Sequence, residues 1–241
     1  MSIVDAAVGK ILAMVPQETL IGDEGGFQQV RLSDAYLSEI ERMEPTPEVV
    51  LSEGEDFLGT YRSMASPGCI TLYWERIGAF FWHNVAGLCR AGLLIEPREL
   101  KRLATVAVYK TYAHERFHYF CDVSRHLLGG SEDRMMEEAL AVASSFHALE
   151  TARKQWNSPA GLLGNAPYRM FMDRIFAFRA PGYRDWVRFQ SRLAFEEGVA
   201  QYLVSPAKWQ FLTSSGVDPA PIIQSMKSAL MTGGAIEKLS P

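Results

Sequence analysis

Residues 100–128 read as one long helix, and that element does most to narrow the folds open to this 241-residue chain. Pro97 suits its first turn, where a missing N–H costs nothing, and Glu96 and Glu99 are favourable at the positive end of the helix dipole. Apolar residues continue through Leu103, Val106, Val108 and Tyr112, and Gly129-Gly130 stops the pattern. A helix rises about 1.5 Å per residue, so one of this length crosses a small domain and the other elements must pack around it. His114-Glu115-Arg116-Phe117-His118 lies within it and reads H-E-x-x-H. Histidines four residues apart project from one helix face and can share a metal ion, and the glutamate beside the first can reach a metal-bound water. This is a zinc-hydrolase signal.

The length suits a single domain, 1–241, and 48% apolar residues with 11% aromatic are ample for a core. Within it, 1–66 reads as an N-terminal helix and loop-rich segment, 67–204 as the catalytic core and 205–241 as a C-terminal extension. A net charge of -4, with neither a basic run nor a basic helix, gives no electrostatic reason to expect nucleic acid or an anionic membrane as partner. Cys69, Cys89 and Cys121 are odd in number and lack C-x-x-C spacing, which argues against a disulfide framework or a cysteine-ligated zinc. Residues 1–15 space Val4, Val8, Ile11, Leu12 and Val15 helically, but Asp5 interrupts them and no cleavage site follows, so the segment reads as a packed amphipathic helix. No apolar run approaches a membrane span. The expected location is the cytoplasm.

Along the chain, the many acids and Gly22, Gly25, Gly26, Pro45 and Pro47 predict loops and short elements over 17–60. Pro67-Gly68 introduces the best strand candidate, residues 69–74, placed at a sheet edge. Phe80, Phe81, Trp82, Val85 and Leu88 predict a buried helix ending near Gly92. Ser131 can cap a second helix running to about Lys154, with Glu132 and Asp133 in its first turn. Beyond Ser158-Pro159-Ala160-Gly161, helical stretches are expected over 168–178 and 183–204, split by Ala180-Pro181-Gly182, and the closing residues, with Gly233-Gly234 and Pro241, read as a loose tail.

A catalytic zinc usually takes three protein ligands, so the histidine pair is one short. A metzincin would have a histidine six residues after His118 and a glycine three after it; Ser124 and Cys121 occupy those positions and exclude that subclass. His126 lies too far along the helix to share the ion and reads as a C-terminal cap or a surface residue. A glutamate on the following helix is the better candidate. Residues 114–141, H-E-R-F-H and then, after nineteen residues, E-A-L-A, resemble the gluzincins, zinc peptidases whose second helix supplies a glutamate in an E-x-x-A pattern. The resemblance covers mainly 105–150, extends weakly to Ile70-Thr71-Leu72, and is to compact, minigluzincin-like members. It implies a mainly α, α+β fold: a zincin-like catalytic domain with an active-site helix, a glutamate-bearing second helix packed antiparallel to it, and a small sheet. It implies zinc as cofactor, His114, His118 and Glu138 as metal ligands and Glu115 as general base. Glu137 is the close alternative to Glu138. Glu197, in Glu196-Glu197-Gly198-Val199-Ala200, is a second match to the ligand pattern. The tight Gly129-Gly130 connection favours Glu138, leaving Glu196 and Glu197 to orient a histidine or line the cleft.

Each signal has a plainer reading: a histidine pair can be packing, and E-x-x-A is common in any alanine-rich helix. Together on consecutive helices they are far more specific. Cys121 and Asp122 lie near the histidine face but read as a core residue and a hydrogen-bond partner, and His83 and His147 as structural. Tyr183 and then Tyr202 are the candidates for stabilising an oxyanion, a role gluzincins often give to Tyr or His. The expected function is a metalloprotease, a zinc endopeptidase acting on protein or peptide substrates. The alternatives are a partner-binding module on a gluzincin fold without activity, and a hydrolase of a non-peptide amide.

Overall fold

The computed structural model describes residues 2–14, 58–62, 68–128, 131–156, 165–178, 180–218, 221, 223, 225 and 234–241. The expectations for most of 17–60, for Gly129-Gly130, for residues 158–161 and for the side chain of His126 lie outside the described residues. The elements, in chain order, are α1 Ile3–Ala13, β1 Gly59–Arg62, β2 Cys69–Tyr73, α2 Trp74–Arg90, α3 Pro97–Leu128, α4 Arg134–Trp156, α5 Asn165–Ile175, a 3-10 segment Tyr183–Phe189, α6 Arg192–Leu203, α7 Pro206–Ser214 and β3 Ile236–Ser240. The protein is mainly helical, with one small three-stranded sheet among the described residues. Among the described residues no helix is long and apolar enough to cross a membrane.

The long helix is the spine. One apolar cluster gathers Ile11 of α1, Ile70 and Leu72 of β2, Phe81 and Trp82 of α2, Leu103 and Val106 of α3, and Phe171 of α5. A second joins Phe117 and Phe120 of α3 to Leu140 of α4 and Phe195 and Val199 of α6. Burial of such side chains stabilises by roughly 1.5–3 kcal/mol each, which is why α3 is held on both flanks. At the N-terminus, Ser2 and Asp5 form a reciprocal capping box, and Trp82 Nε1 donates to the Ile11 carbonyl at 3.1 Å, tying α1 to α2.

Four expectations are corrected. Residues 69–73 form the central strand: β2 pairs antiparallel with β1 and parallel with β3. The expected loose tail supplies β3, whose Glu237 carboxylate accepts from Tyr112 of α3 at 2.5 Å. Trp74 opens α2 and does not close the strand. The single helix expected over 183–204 is broken at Gln190, because Ser191 caps a fresh helix by accepting from the Ala194 N–H, leaving residues 183–189 as a 3-10 turn.

Candidate metal centre

Helix α4 folds back along α3, and the two bring His114, His118 and Glu138 to one point, the group of metal-ligating side chains found among the described residues. The Nε2 atoms of the histidines are 3.1 Å apart; Glu138 Oε2 is 3.1 Å from the first and 3.5 Å from the second. Ligands at about 2.0–2.2 Å from a tetrahedral zinc are separated by about 3.3–3.6 Å, so these spacings are close to those of one ion between them. Glu138 Oε2 is buried and has no hydrogen-bond partner among the described residues, although both imidazole nitrogens lie close. Burial tends to raise its pKa, but the two imidazoles hold this carboxyl well below the usual range. Two imidazole nitrogens and a carboxylate oxygen, all on partly buried residues, are a set that could hold a metal ion once the imidazoles are neutral.

Glu137 does something different from its neighbour. Its Oε1 lies 2.8 Å from His118 Nδ1, and its Oε2 accepts from Arg125 Nη2 and from the Tyr202 hydroxyl. Arg125 also reaches Tyr202 Oη at 2.9 Å and the Ser131 carbonyl at 3.1 Å, while the Ser131 N–H donates to the Tyr202 carbonyl at 2.8 Å. With the imidazole proton on Nδ1 facing Glu137, the Nε2 lone pair of neutral His118 faces Glu138 and His114. Burial works against a charged His118, but the carboxylates of Glu137 and Glu138 outweigh it and raise its pKa well above the ordinary value. Burial also raises Glu137, yet its bonds from His118 and Tyr202 bring it below the normal carboxylate range.

Glu115 sits under strand β1. A Cβ on Gly59 would lie 3.0 Å from Glu115 Cγ and 2.9 Å from Thr111 Cγ2, so only glycine permits the strand to approach this closely. Burial pushes the Glu115 carboxyl above its ordinary pKa, partly offset by the nearby histidines and the Tyr61 backbone N–H. On the other side, the Tyr183 ring stacks on His114 with centroids 5.9 Å apart and planes within 9°. Gly182, at φ 80°, makes the turn that delivers it, packed against the backbone of Met135 and Glu138 Cβ. Burial and then Glu138 push the Tyr183 phenol far above its ordinary value, so it remains a proton donor.

The remaining candidates fall elsewhere. Glu197 is exposed on α6, and Glu196 pairs with Arg192 at 2.9 Å, so neither orients a histidine of the cluster. Tyr202 lies behind Glu137, away from the ligand atoms. Cys121 is a buried core residue and Asp122 accepts from the Tyr61 hydroxyl at 2.7 Å. His147 Nε2 lies 3.0 Å from the Phe189 carbonyl between two aromatic rings, a packing role. Sequence reasoning missed Arg125 and the orienting role of Glu137. The available signal was an arginine one turn before the end of α3 facing paired glutamates at the start of α4. No protein-family model matches the chain, and neither a curated protein nor a solved structure does. The gluzincin resemblance therefore rests on the sequence of residues 105–150 alone.

Proposed function

We propose that the protein is a zinc-dependent peptidase with a zincin-like catalytic domain, in which His114, His118 and Glu138 hold the ion. The observation that carries this reading is the convergence of three ligand atoms at 3.1–3.5 Å beside a buried glutamate on the same helix as the two histidines. A zinc ion there would supply Lewis acidity toward a water and a substrate carbonyl.

The chain's own residues divide the remaining work. Glu115 takes the proton of the attacking water on its carboxylate and returns it to the leaving amine. Its dry surroundings raise its basicity toward that of a useful base, and the Tyr61 N–H fixes its orientation. Glu137 holds the Nδ1 proton of His118, and Arg125 and Tyr202 keep Glu137 ionised and in place. Tyr183 is assigned the donor to the developing oxyanion, on the strength of its stack against His114 and its protonated phenol. Strand β1 pairs with no strand on its other edge among the described residues, and that edge passes beside Glu115, where an extended peptide could add.

The test is Glu115→Gln. The amide keeps the shape but cannot accept the proton at neutral pH, so bound zinc should be unchanged while peptide turnover falls by at least roughly 10². A variant that releases the metal, or that cleaves peptide at the wild-type rate, removes Glu115 from the base role.

A further inference from the structure

Lys110 lies one turn before His114 on α3, at a position where the helix turns its apolar face inward, and it is 7% exposed. Three rings surround its ammonium, Phe178 at 4.8 Å, Phe80 at 5.4 Å and Phe176 at 5.5 Å. No carboxylate among the described residues is within ion-pair distance; Glu115 acts on it only from further away. A cation in such a place loses most of its hydration, and ring faces return only about 0.5–2 kcal/mol each. Leucine or methionine would fill the same volume without that cost, so packing alone does not account for a lysine here.

Its position connects it to the site. The Phe178 ring lies 5.5 Å from that of Tyr183, and Tyr183 is stacked on His114, so a chain of ring contacts links the surroundings of the ammonium to the histidine pair. Lys110 and His114 are separated by about 6 Å along the helix axis, and an extended peptide spans roughly 3.3–3.6 Å per residue. A group bound at Lys110 therefore belongs to a substrate residue within about three of the bond on which Glu115 acts.

We propose that Lys110 is the specificity-determining residue of this site and that it receives a carboxylate of the substrate. The proposal rests on the peptidase reading. The carboxylate is either the free α-carboxylate of a chain end, which would make the enzyme one that trims short C-terminal pieces, or an Asp or Glu side chain within a longer chain, which suits an endopeptidase. Both neutralise the same buried ammonium, and a neutral peptide in the same place would leave it uncompensated.

The experiment uses the zinc-supplemented full chain and N-acetylated peptides of one core sequence in three forms: free C-terminus, C-terminal amide, and C-terminal amide with one internal Glu. One or both carboxylate forms should exceed the neutral amide in kcat/KM by about tenfold or more, as expected for a buried charge pair, and which of them does identifies the source. Lys110→Met, which fits the aromatic surroundings, should bring the forms within about twofold of one another in kcat/KM. Equal cleavage of all three by the wild type, a comparison that does not depend on any variant folding, overturns the proposal and leaves the peptidase reading intact. So does a preference unchanged in Lys110→Met. If zinc-loaded wild type cleaves none of them, the peptidase reading fails, and calorimetric binding of the same peptides decides the anion site. Binding that requires both the carboxylate and Lys110 supports it; binding indifferent to either, or none, overturns it.

Discussion

The two halves of helix α3 obey different rules. From Leu100 to Val108 the buried side chains are leucine, alanine and valine, packed into the cluster that includes Trp82 and Phe171. From Lys110 onward the buried residues include Lys110, Thr111, Glu115, Arg116 and Ser124, and two histidines face Glu138. The first half stabilises the fold; the second places polar and ionised groups where they cost stability, which proteins tolerate chiefly where function requires it. The contrast teaches that substitutions of the buried residues of the first half should act through unfolding, and those of the buried polar residues of the second, Lys110 and Glu115 among them, chiefly through the site's chemistry, with smaller effects on stability.

The largest effect is expected from the first half. Leu103→Ala removes a fully buried side chain and should lower the unfolding free energy by about 2–5 kcal/mol, read by denaturant titration. A loss below about 1 kcal/mol would erase the contrast. Next comes Lys110, whose pKa burial lowers from 10.5 to about 8. Between those values the unfolded chain still binds a proton that the folded chain has released, so folded-state stability rises with pH over that window. Relative to Lys110→Met, the wild type should therefore gain up to about 3 kcal/mol on going from pH 8 to 10.5, with the variant at least as stable at pH 7. Parallel stability curves for the two proteins would mean that the ammonium is not buried. Tyr202→Phe deletes only the hydroxyl that Glu137 accepts, and zinc affinity should fall by about tenfold, as for other groups that orient a ligating histidine. Competition with a chelator reads this; an unchanged affinity would detach the Arg125–Glu137–Tyr202 network from His118.

Much of this was legible in the chain. The breakers Pro97 and Gly92 and the apolar spacing located α2 and α3, and H-E-x-x-H with the following glutamates named the residues that meet. Adjacent residues on a helix point about 100° apart, so sequence alone could not say how Glu137 and Glu138 divide the histidines; the packing of α4 on α3 brings Glu138 to both Nε2 atoms and Glu137 to His118 Nδ1. The strand character of residues 236–240 is carried by five residues whose partner is far away in sequence, and parallel pairing leaves no local turn to announce it. Ser191 was a readable cap that the unbroken apolar spacing obscured. The setting of Lys110 depends on rings from α2 and from the connection after α5, which no local pattern joins.

The central claim is that α3 and α4 together bind one zinc, and metal analysis of the purified chain, prepared without chelator and with zinc offered, tests it most directly. The account expects one zinc per chain in the wild type and in Glu197→Gln, whose side chain is exposed on α6, and loss of most of it in His114→Ala, His118→Ala and Glu138→Gln. A wild type that neither carries nor takes up zinc would contradict the account, as would a Glu138→Gln protein that holds the metal normally while Glu197→Gln releases it.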